Sequence, residues 1–132
     1  MILVDTSVWV EFFRQTDSPQ DRRLTGLIED GEDIAITGIV LTEILQGIRH
    51  ERELRAARGY LLRFPLVEPM SVFTYLRAAE IYRACRRRGL TVRGSVDCII
   101  AAICIDHDVP ILHRDADFDR IAAISGLKVL AV

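Results

Sequence analysis

Several residue types are scarce in this sequence of 132 residues, and long hydrophobic runs are missing. It has three cysteines and no CxxC pair, which excludes a disulfide framework and predicts buried, reduced thiols. The longest apolar stretch, residues 98–105, is far too short to cross a bilayer. The N-terminus lacks the basic region of a signal peptide. We therefore expect a cytoplasmic protein that has no contact with the membrane.

Histidine is also scarce, and the three histidines do not have the spacing of metal ligands. The sequence shows no Ser-His or Cys-His pairing and no GxxxxGK loop. It therefore gives no support to a histidine metal site, to a serine or cysteine hydrolase, or to a P-loop enzyme.

The basic residues are almost all arginine, since Lys128 is the single lysine among 17 of them. A net charge of -2 by itself argues against nucleic acid as a partner, but the planar arginine fork matches phosphate. Genomic base composition is an alternative explanation for the bias. The candidate phosphate-binding residues are Arg52, Arg55 and Arg58 on one helix face, and Arg86, Arg87 and Arg88 at a helix end. Cations at the C-terminus of a helix also interact favourably with the helix dipole, which explains the second group without any ligand.

The order of apolar segments predicts the fold class. Half of the residues are hydrophobic and 27% are charged, which indicates one globular domain over residues 1–132. Short apolar runs alternate with segments of helical periodicity, as in an α/β fold with a single-domain, parallel-sheet α/β/α sandwich. Strands are predicted over residues 2–4, 34–37, 66–68, 109–112 and 127–132. Helices are predicted after Asp5 and over residues 20–30, from 38 onward, 51–64, 72–88, 96–105 with Ser95 as the N-cap, and 119–124.

Four carboxylates stand where they can meet. Asp5 and Asp115 follow predicted strands, and Glu43 lies early in the helix after a third strand. Asp97 is the one early polar residue of a nearly uniformly apolar helix, where an unpaired charge is costly. Because ligands of open α/β sheets bind beyond the carboxyl ends of the strands, we expect all four in one crevice.

Carboxylates held together repel one another, so such a cluster persists only with protons or with a hard cation. Oxygen ligands alone favour Mg²⁺ or Mn²⁺, and such a site is equipped for phosphodiester hydrolysis. Simpler interpretations remain for each residue: Asp5 as a helix cap, Glu43 as a solvated side chain, and Asp97 as a partner of the helix dipole.

The helix after Asp5, with Thr6 or Ser7 as its predicted cap, is apolar over about 200° of its circumference, more than the ~100° of one core face. Trp9 and Phe13 are therefore predicted to line a groove that binds a helix of another chain. The alternative is a helix buried between the sheet and its neighbouring helices.

Four motifs follow one another along the chain: Asp5-Thr6-Ser7, Thr42-Glu43, Gly94-Ser95-Val96-Asp97 and Arg114-Asp115-Ala116-Asp117-Phe118. They resemble the PIN domain, specifically the VapC toxins of bacterial toxin-antitoxin pairs, and the resemblance covers essentially the whole chain. It implies a Mg²⁺-dependent endoribonuclease, often aimed at structured RNA such as tRNA, commonly a homodimer, and held inactive by a VapB-type antitoxin. The arginine groups would then bind RNA, and the groove lined by Trp9 would bind the antitoxin.

The resemblance assigns catalytic and metal-binding roles to the acidic quartet Asp5, Glu43, Asp97 and Asp115. Asp117 lies two residues beyond the last of them and is predicted to share or replace its role as a metal ligand.

Two alternative functions belong to other classes. A haloacid dehalogenase-like phosphatase also begins with a strand-end aspartate and uses Mg²⁺, but it needs a second aspartate where this chain has Ser7. A non-catalytic metal-binding PIN scaffold would keep the fold and lose part of the quartet, yet all four acids are present.

Overall fold

The computed structural model, which describes all 132 residues, has its first strand at the centre of a parallel sheet. The strands are β1 (Ile2–Val4), β2 (Ile34–Ala35) and β3 (Ile111–Leu112), in the order β2-β1-β3. Leu3 pairs with Ala35 on one side and Ile111 on the other, and all three side chains have no exposed surface. The carboxyl end of β1 therefore lies between those of its neighbours.

Seven helices flank this sheet, which confirms the predicted α/β class with a parallel sheet. The predicted apolar helix, α6, is central: most of its residues from Cys98 to Cys104 are buried, and α5 packs along it. No helix is long and apolar enough to span a membrane. The helices are α1 (Thr6–Arg14), α2 (Pro19–Glu29), α3 (Gly38–Gln46), α4 (Glu51–Leu61), α5 (Val72–Arg87), α6 (Ser95–His107) and α7 (Ala116–Ile124).

Two predicted strands are reduced to single bridges. Leu66 pairs with Ile36 and Val129 with Ile111, both in parallel orientation, so each segment extends one edge of the sheet. Pro65 has no N–H and offers only its carbonyl to Ile36, which limits the first of these pairings. The predictions of full strands over residues 66–68 and 127–132 are therefore wrong in extent, although both segments lie at the sheet.

Two helices begin directly after an aspartate that caps them. α1 has Asp5 as its N-cap, instead of the predicted Thr6 or Ser7. α7 has Asp115 as its N-cap and begins at Ala116, three residues before the predicted start at Asp119. A carboxylate that accepts a first-turn N–H satisfies one of the unpaired donors of a helix, so each helix starts at the residue after its aspartate.

An aromatic cluster joins α1 to α4. The rings of Phe12, Phe13, Tyr60 and Phe64 lie 5.4–6.3 Å from the Trp9 ring, measured between centroids. Trp9 has no exposed surface. The groove that was predicted to be lined by Trp9 is therefore absent, because α4 of the same chain fills that space. Phe12, Phe13, Tyr60 and Phe64 stay half-buried, so these rings, unlike that of Trp9, keep some surface that a partner can contact.

The three cysteines are buried and free, as predicted. Burial raises the pKa of Cys98 to about 11 and that of Cys104 to about 12, so both side chains stay protonated as thiols.

Candidate active site

Asp5 lies at the carboxyl end of the central strand. Its backbone N–H donates to the carbonyl of Leu112 at 3.0 Å, so the ends of β1 and β3 are adjacent. Its carboxylate accepts from the backbone N–H of Ser7 at 3.0 Å and from the Ser7 hydroxyl at 2.6 Å. Asp5 is thus a helix cap, as its simpler interpretation required. It is also a carboxylate with only 4% of its surface exposed.

The Ser7 hydroxyl connects the two strand ends. It donates to Asp5 and accepts from the backbone N–H of Arg114 at 2.9 Å. Beyond Arg114, Asp115 caps α7 by accepting from the backbone N–H of Asp117 at 3.0 Å. The start of α1 and the β3–α7 connection are therefore held at one place.

Three carboxylates form the tightest acidic group in the molecule. Asp97, Asp115 and Asp117 each offer an oxygen, and these atoms all lie within 4.8 Å of one another. Burial raises the pKa of Asp97 to about 7, and repulsion from Asp5, Asp115 and Asp117 adds to that rise. Burial also raises the pKa of Asp5, although hydrogen bonds from Ser7 oppose the rise. Without a cation, Asp5 and Asp97 therefore favour their protonated forms.

Glu43 is held at the N-terminus of α1, which follows Asp5 in the chain. The Thr6 hydroxyl donates to its carboxylate at 2.9 Å, which fixes α3 against the first residue of α1. Glu43 is half-buried and is not among the three carboxylates that share the 4.8 Å spacing. The structure thus gathers Asp97, Asp115 and Asp117, and Asp5 is close enough to repel Asp97. Glu43, on α3, contacts Thr6, the residue after Asp5.

Two arginines neutralise the part of the site formed by Asp117. Arg93 donates to Asp117 through Nε and its backbone N–H, both at 3.2 Å, and to Asp115 through Nη2 at 2.8 Å. Arg120 donates to the other oxygen of Asp117 at 2.8 Å. Burial alone would raise the pKa of Asp117, but the hydrogen bonds and positive charge of Arg93, with Arg120, hold it below its usual value.

A cleft of about 610 Å³ opens beside these carboxylates. Arg114, the third arginine on its wall, forms an ion pair with the buried Glu11 of α1. None of the three arginines was assigned a role from the sequence. The residues that line the cleft are Ser7, Thr91, Arg93, Arg114, Asp115, Ala116, Asp117 and Arg120.

The arginines predicted from sequence lie elsewhere. Arg52, Arg55 and Arg58 are exposed on α4, and no α4 residue lines the cleft. Arg86 lines a neighbouring cleft that shares Thr91 with the first. The side chains of the other two members of that group, Arg87 and Arg88, are exposed at the end of α5.

The donor set fits a hard divalent cation. Every candidate ligand atom is a carboxylate oxygen, and no histidine or cysteine belongs to the group. Asp97 and Asp5 lack a cationic partner among the ion pairs of the structure, unlike Asp117. The arrangement can bind a metal ion and place it at the edge of a cleft.

Comparison with known proteins gives one consistent likeness. The family model described as the PIN domain matches residues 2–124. A VapC ribonuclease of Mycobacterium bovis is 43% identical over 131 residues, covering 97% of this chain and 96% of the relative. Ribonuclease VapC51 of Mycobacterium tuberculosis is 33% identical over 124 residues, covering 94% of this chain and 87% of the relative.

Two solved structures share the fold. VapBC2 from Rickettsia felis, bound to a DNA fragment from its promoter, has a TM-score of 0.76 at 20% identity and covers 98% of both chains. Mycobacterium tuberculosis VapC20, described as a Sarcin-Ricin loop cleaving toxin, has a TM-score of 0.66 at 18% identity, covering 97% of this chain and 99% of the other. At these identities the likeness concerns the fold alone.

Proposed function

Since the chain belongs to the PIN-domain family, as a VapC ribonuclease toxin of toxin-antitoxin systems, we propose that it is a Mg²⁺-dependent endoribonuclease that cleaves structured RNA. The observation that carries the proposal is the group formed by Asp97, Asp115 and Asp117, whose oxygens lie within 4.8 Å of one another at the edge of a cleft. The carboxyl edge of a parallel sheet is where α/β enzymes place their chemistry. We expect the activity in the cytoplasm.

We propose that Asp5, Asp97 and Asp115 hold Mg²⁺, with Glu43 beside them and Asp117 as an additional ligand; Mn²⁺ is a plausible substitute. A bound ion would act as a Lewis acid on a phosphoryl oxygen and would lower the pKa of water. Asp5 and Asp97 suit this role because burial and neighbouring carboxylates push both toward protonation, and a bound cation would offset both effects. Asp5 is already oriented by Ser7.

Structured RNA is the proposed substrate class, and tRNA is one member of it. The VapC20 protein is described as a Sarcin-Ricin loop cleaving toxin. Because the likeness to that protein is one of fold, it does not identify the RNA that this chain cleaves.

A phosphatase of the haloacid dehalogenase type finds no support. Ser7 stands where the second aspartate would be needed, and its hydroxyl is committed to Asp5 and to the backbone of Arg114. A non-catalytic scaffold is also disfavoured, because Asp5, Asp97 and Asp115 are all held at one place.

We further propose a VapB-type antitoxin and a second copy of this chain as partners. Solved structures with this fold include toxin-antitoxin complexes, such as one from Klebsiella pneumoniae. Phe13 remains the candidate contact for the antitoxin from the predicted pair, because Trp9 is buried. The exposed side chains of Val72, Phe73 and Leu76 on α5 support contact with a further chain, since apolar groups of that size gain from being covered.

The proposal is tested by incubating purified protein with total RNA, with Mg²⁺ and with EDTA. We expect cleavage in Mg²⁺ alone, and none from Asp97→Asn in either buffer. Asp30→Asn, an exposed aspartate at the end of α2, is the matched control and should cleave like wild type. Cleavage that persists in EDTA, or an active Asp97→Asn variant, would contradict the proposal.

A further inference from the structure

The cleft beside the carboxylates is lined by positive charge that does not serve to bind a metal ion. Arg93, Arg114 and Arg120 line it, with Ala116 as the one apolar residue on its wall. The three arginine side chains are 75%, 51% and 43% exposed, respectively. We propose that this cleft binds the RNA backbone phosphates next to the cleaved bond, an assignment that rests on the ribonuclease function proposed above.

All three guanidinium groups are held in place by carboxylates. Arg93 spans Asp115 and Asp117 and Arg120 contacts Asp117. Arg114 pairs with Glu11, whose side chain is only 11% exposed. An arginine that is already oriented loses less conformational entropy when it binds a ligand. The cleft is therefore prepared for an anion with several acceptor oxygens.

Each guanidinium retains donors for a ligand. A guanidinium has about five N–H donors, and the side chain of Arg93 uses only Nε and Nη2 on carboxylates. The side chain of Arg120 donates only through Nη1, and Arg114 also meets Glu11 through Nη1. Phosphate oxygens are the acceptors that match such forked donors.

The exposed arginines of α4 lack these features. Arg52, Arg55 and Arg58 form no ion pair in the structure, and they line neither the cleft nor its neighbour. They can attract RNA over a distance, as any surface charge does. Arg86 differs from them, because its cleft shares Thr91 with the arginine cleft. A strand that leaves the carboxylates can follow this continuous surface.

A cleft lined with arginine also suits an acidic protein segment. RNA is favoured because Asp115 and Asp117 form part of the same wall, next to Asp97. These carboxylates repel a peptide carboxylate and a phosphate alike, but with the proposed cation bound they would form a site that acts on a phosphodiester, a group that an acidic peptide lacks.

The test uses Asp97→Asn as a non-cleaving background and measures its affinity for fluorescein-labelled single-stranded RNA at several KCl concentrations in Mg²⁺. Glu11→Gln/Arg114→Gln removes both charges of the ion pair, so the buried Glu11 carboxylate is not left without its partner. We expect this double variant to bind about tenfold more weakly, as for the loss of one charge-assisted contact. The slope of log affinity against log salt should fall by roughly 0.7 for one phosphate contact on a single strand.

Two matched variants separate the phosphate contact from general effects. Glu11→Gln alone leaves Arg114 in the cleft and should bind RNA at least as well as the background. Arg22→Gln removes an arginine of equal charge from an exposed pair with Asp17, and should leave the affinity unchanged. Urea unfolding of each variant confirms that the compared proteins are folded.

Several results would overturn the assignment. The first is that the double variant binds RNA with the same affinity and salt slope as Glu11→Gln, and the second is that Arg22→Gln loses as much RNA affinity as the double variant.

A competition experiment provides the third result. Polyphosphate should displace the RNA, and equal displacement by polyglutamate of the same charge would show a site for an acidic protein segment instead. If wild type cleaves RNA while the double variant binds normally, only this inference fails; if wild type cleaves no RNA, the proposed function fails.

Discussion

The N-terminus of α1 and the turn that follows it concentrate opposite kinds of interaction. At its first turn, Asp5 lies among carboxylates that repel it, and burial raises its pKa. One turn later, Trp9 contacts four aromatic rings and has no exposed surface. The first region is unfavourable for the metal-free fold and the second is favourable. Sites that bind ligands commonly carry such local conflict, and packing elsewhere compensates for it.

This contrast assigns separate roles to the two regions. The aromatic cluster fixes the helix that Asp5 begins, and Ser7 then ties that helix to the β3–α7 connection. Stability and activity should therefore respond to different substitutions, although both residues lie on, or cap, the same short helix.

The largest effect is expected for Trp9→Ala. Truncation of a fully buried aromatic side chain leaves a cavity and lowers the free energy of unfolding by about 3–5 kcal/mol. Urea unfolding measures this loss, and Phe13→Ala, at a half-buried ring, is the matched control with a smaller effect. The folded fraction of Trp9→Ala should keep its RNA cleavage and its antitoxin affinity. An affinity loss greater than the loss of folded protein would instead show that Trp9 contacts the partner.

Asp5→Asn should have the opposite profile. Asparagine also caps helices well and keeps an acceptor for the Ser7 N–H, so the fold should persist. The lost charge should reduce RNA cleavage in Mg²⁺ by more than about a hundredfold, because residues that only orient a metal ligand are already worth about 10–100-fold. Relief of repulsion should keep or raise the thermal midpoint in EDTA.

The rise of that midpoint on adding Mg²⁺ reports cation binding to the native protein, and it should be much smaller in Asp5→Asn than in wild type. Full cleavage, or an equal rise, would show that Asp5 serves only as the cap of α1. Asp30→Asn provides the control for loss of one aspartate charge at the surface.

The sequence was informative where periodicity and chain order carried the signal. The strand ends that place Asp5 and Asp115 could be located from short apolar runs, and Asp97 was conspicuous on an apolar helix. Arg93 was not recognised, because its partner Asp117 is 24 residues away and no local pattern marks the pair. The role of Trp9 was misjudged because the width of an apolar face does not show which chain covers it.

The smallest effect expected is a pH dependence of the metal-free fold. Because the pKa of Asp97 rises from 3.8 to about 7 on folding, the native state binds more protons than the unfolded state between these values. Stability in EDTA should therefore be highest near the lower value and fall as pH rises toward the upper one. The half-exposed position of Asp97 limits the effect to less than about 1 kcal/mol.

Urea unfolding across this pH range measures the slope of the free energy of unfolding against pH. The slope should be smaller for Asp97→Asn than for wild type, since the variant lacks the group whose charging opposes folding. Equal slopes would mean that Asp97 does not carry the repulsion at the α1 end of the site, and that the contrast with the aromatic cluster must rest on Asp5 alone.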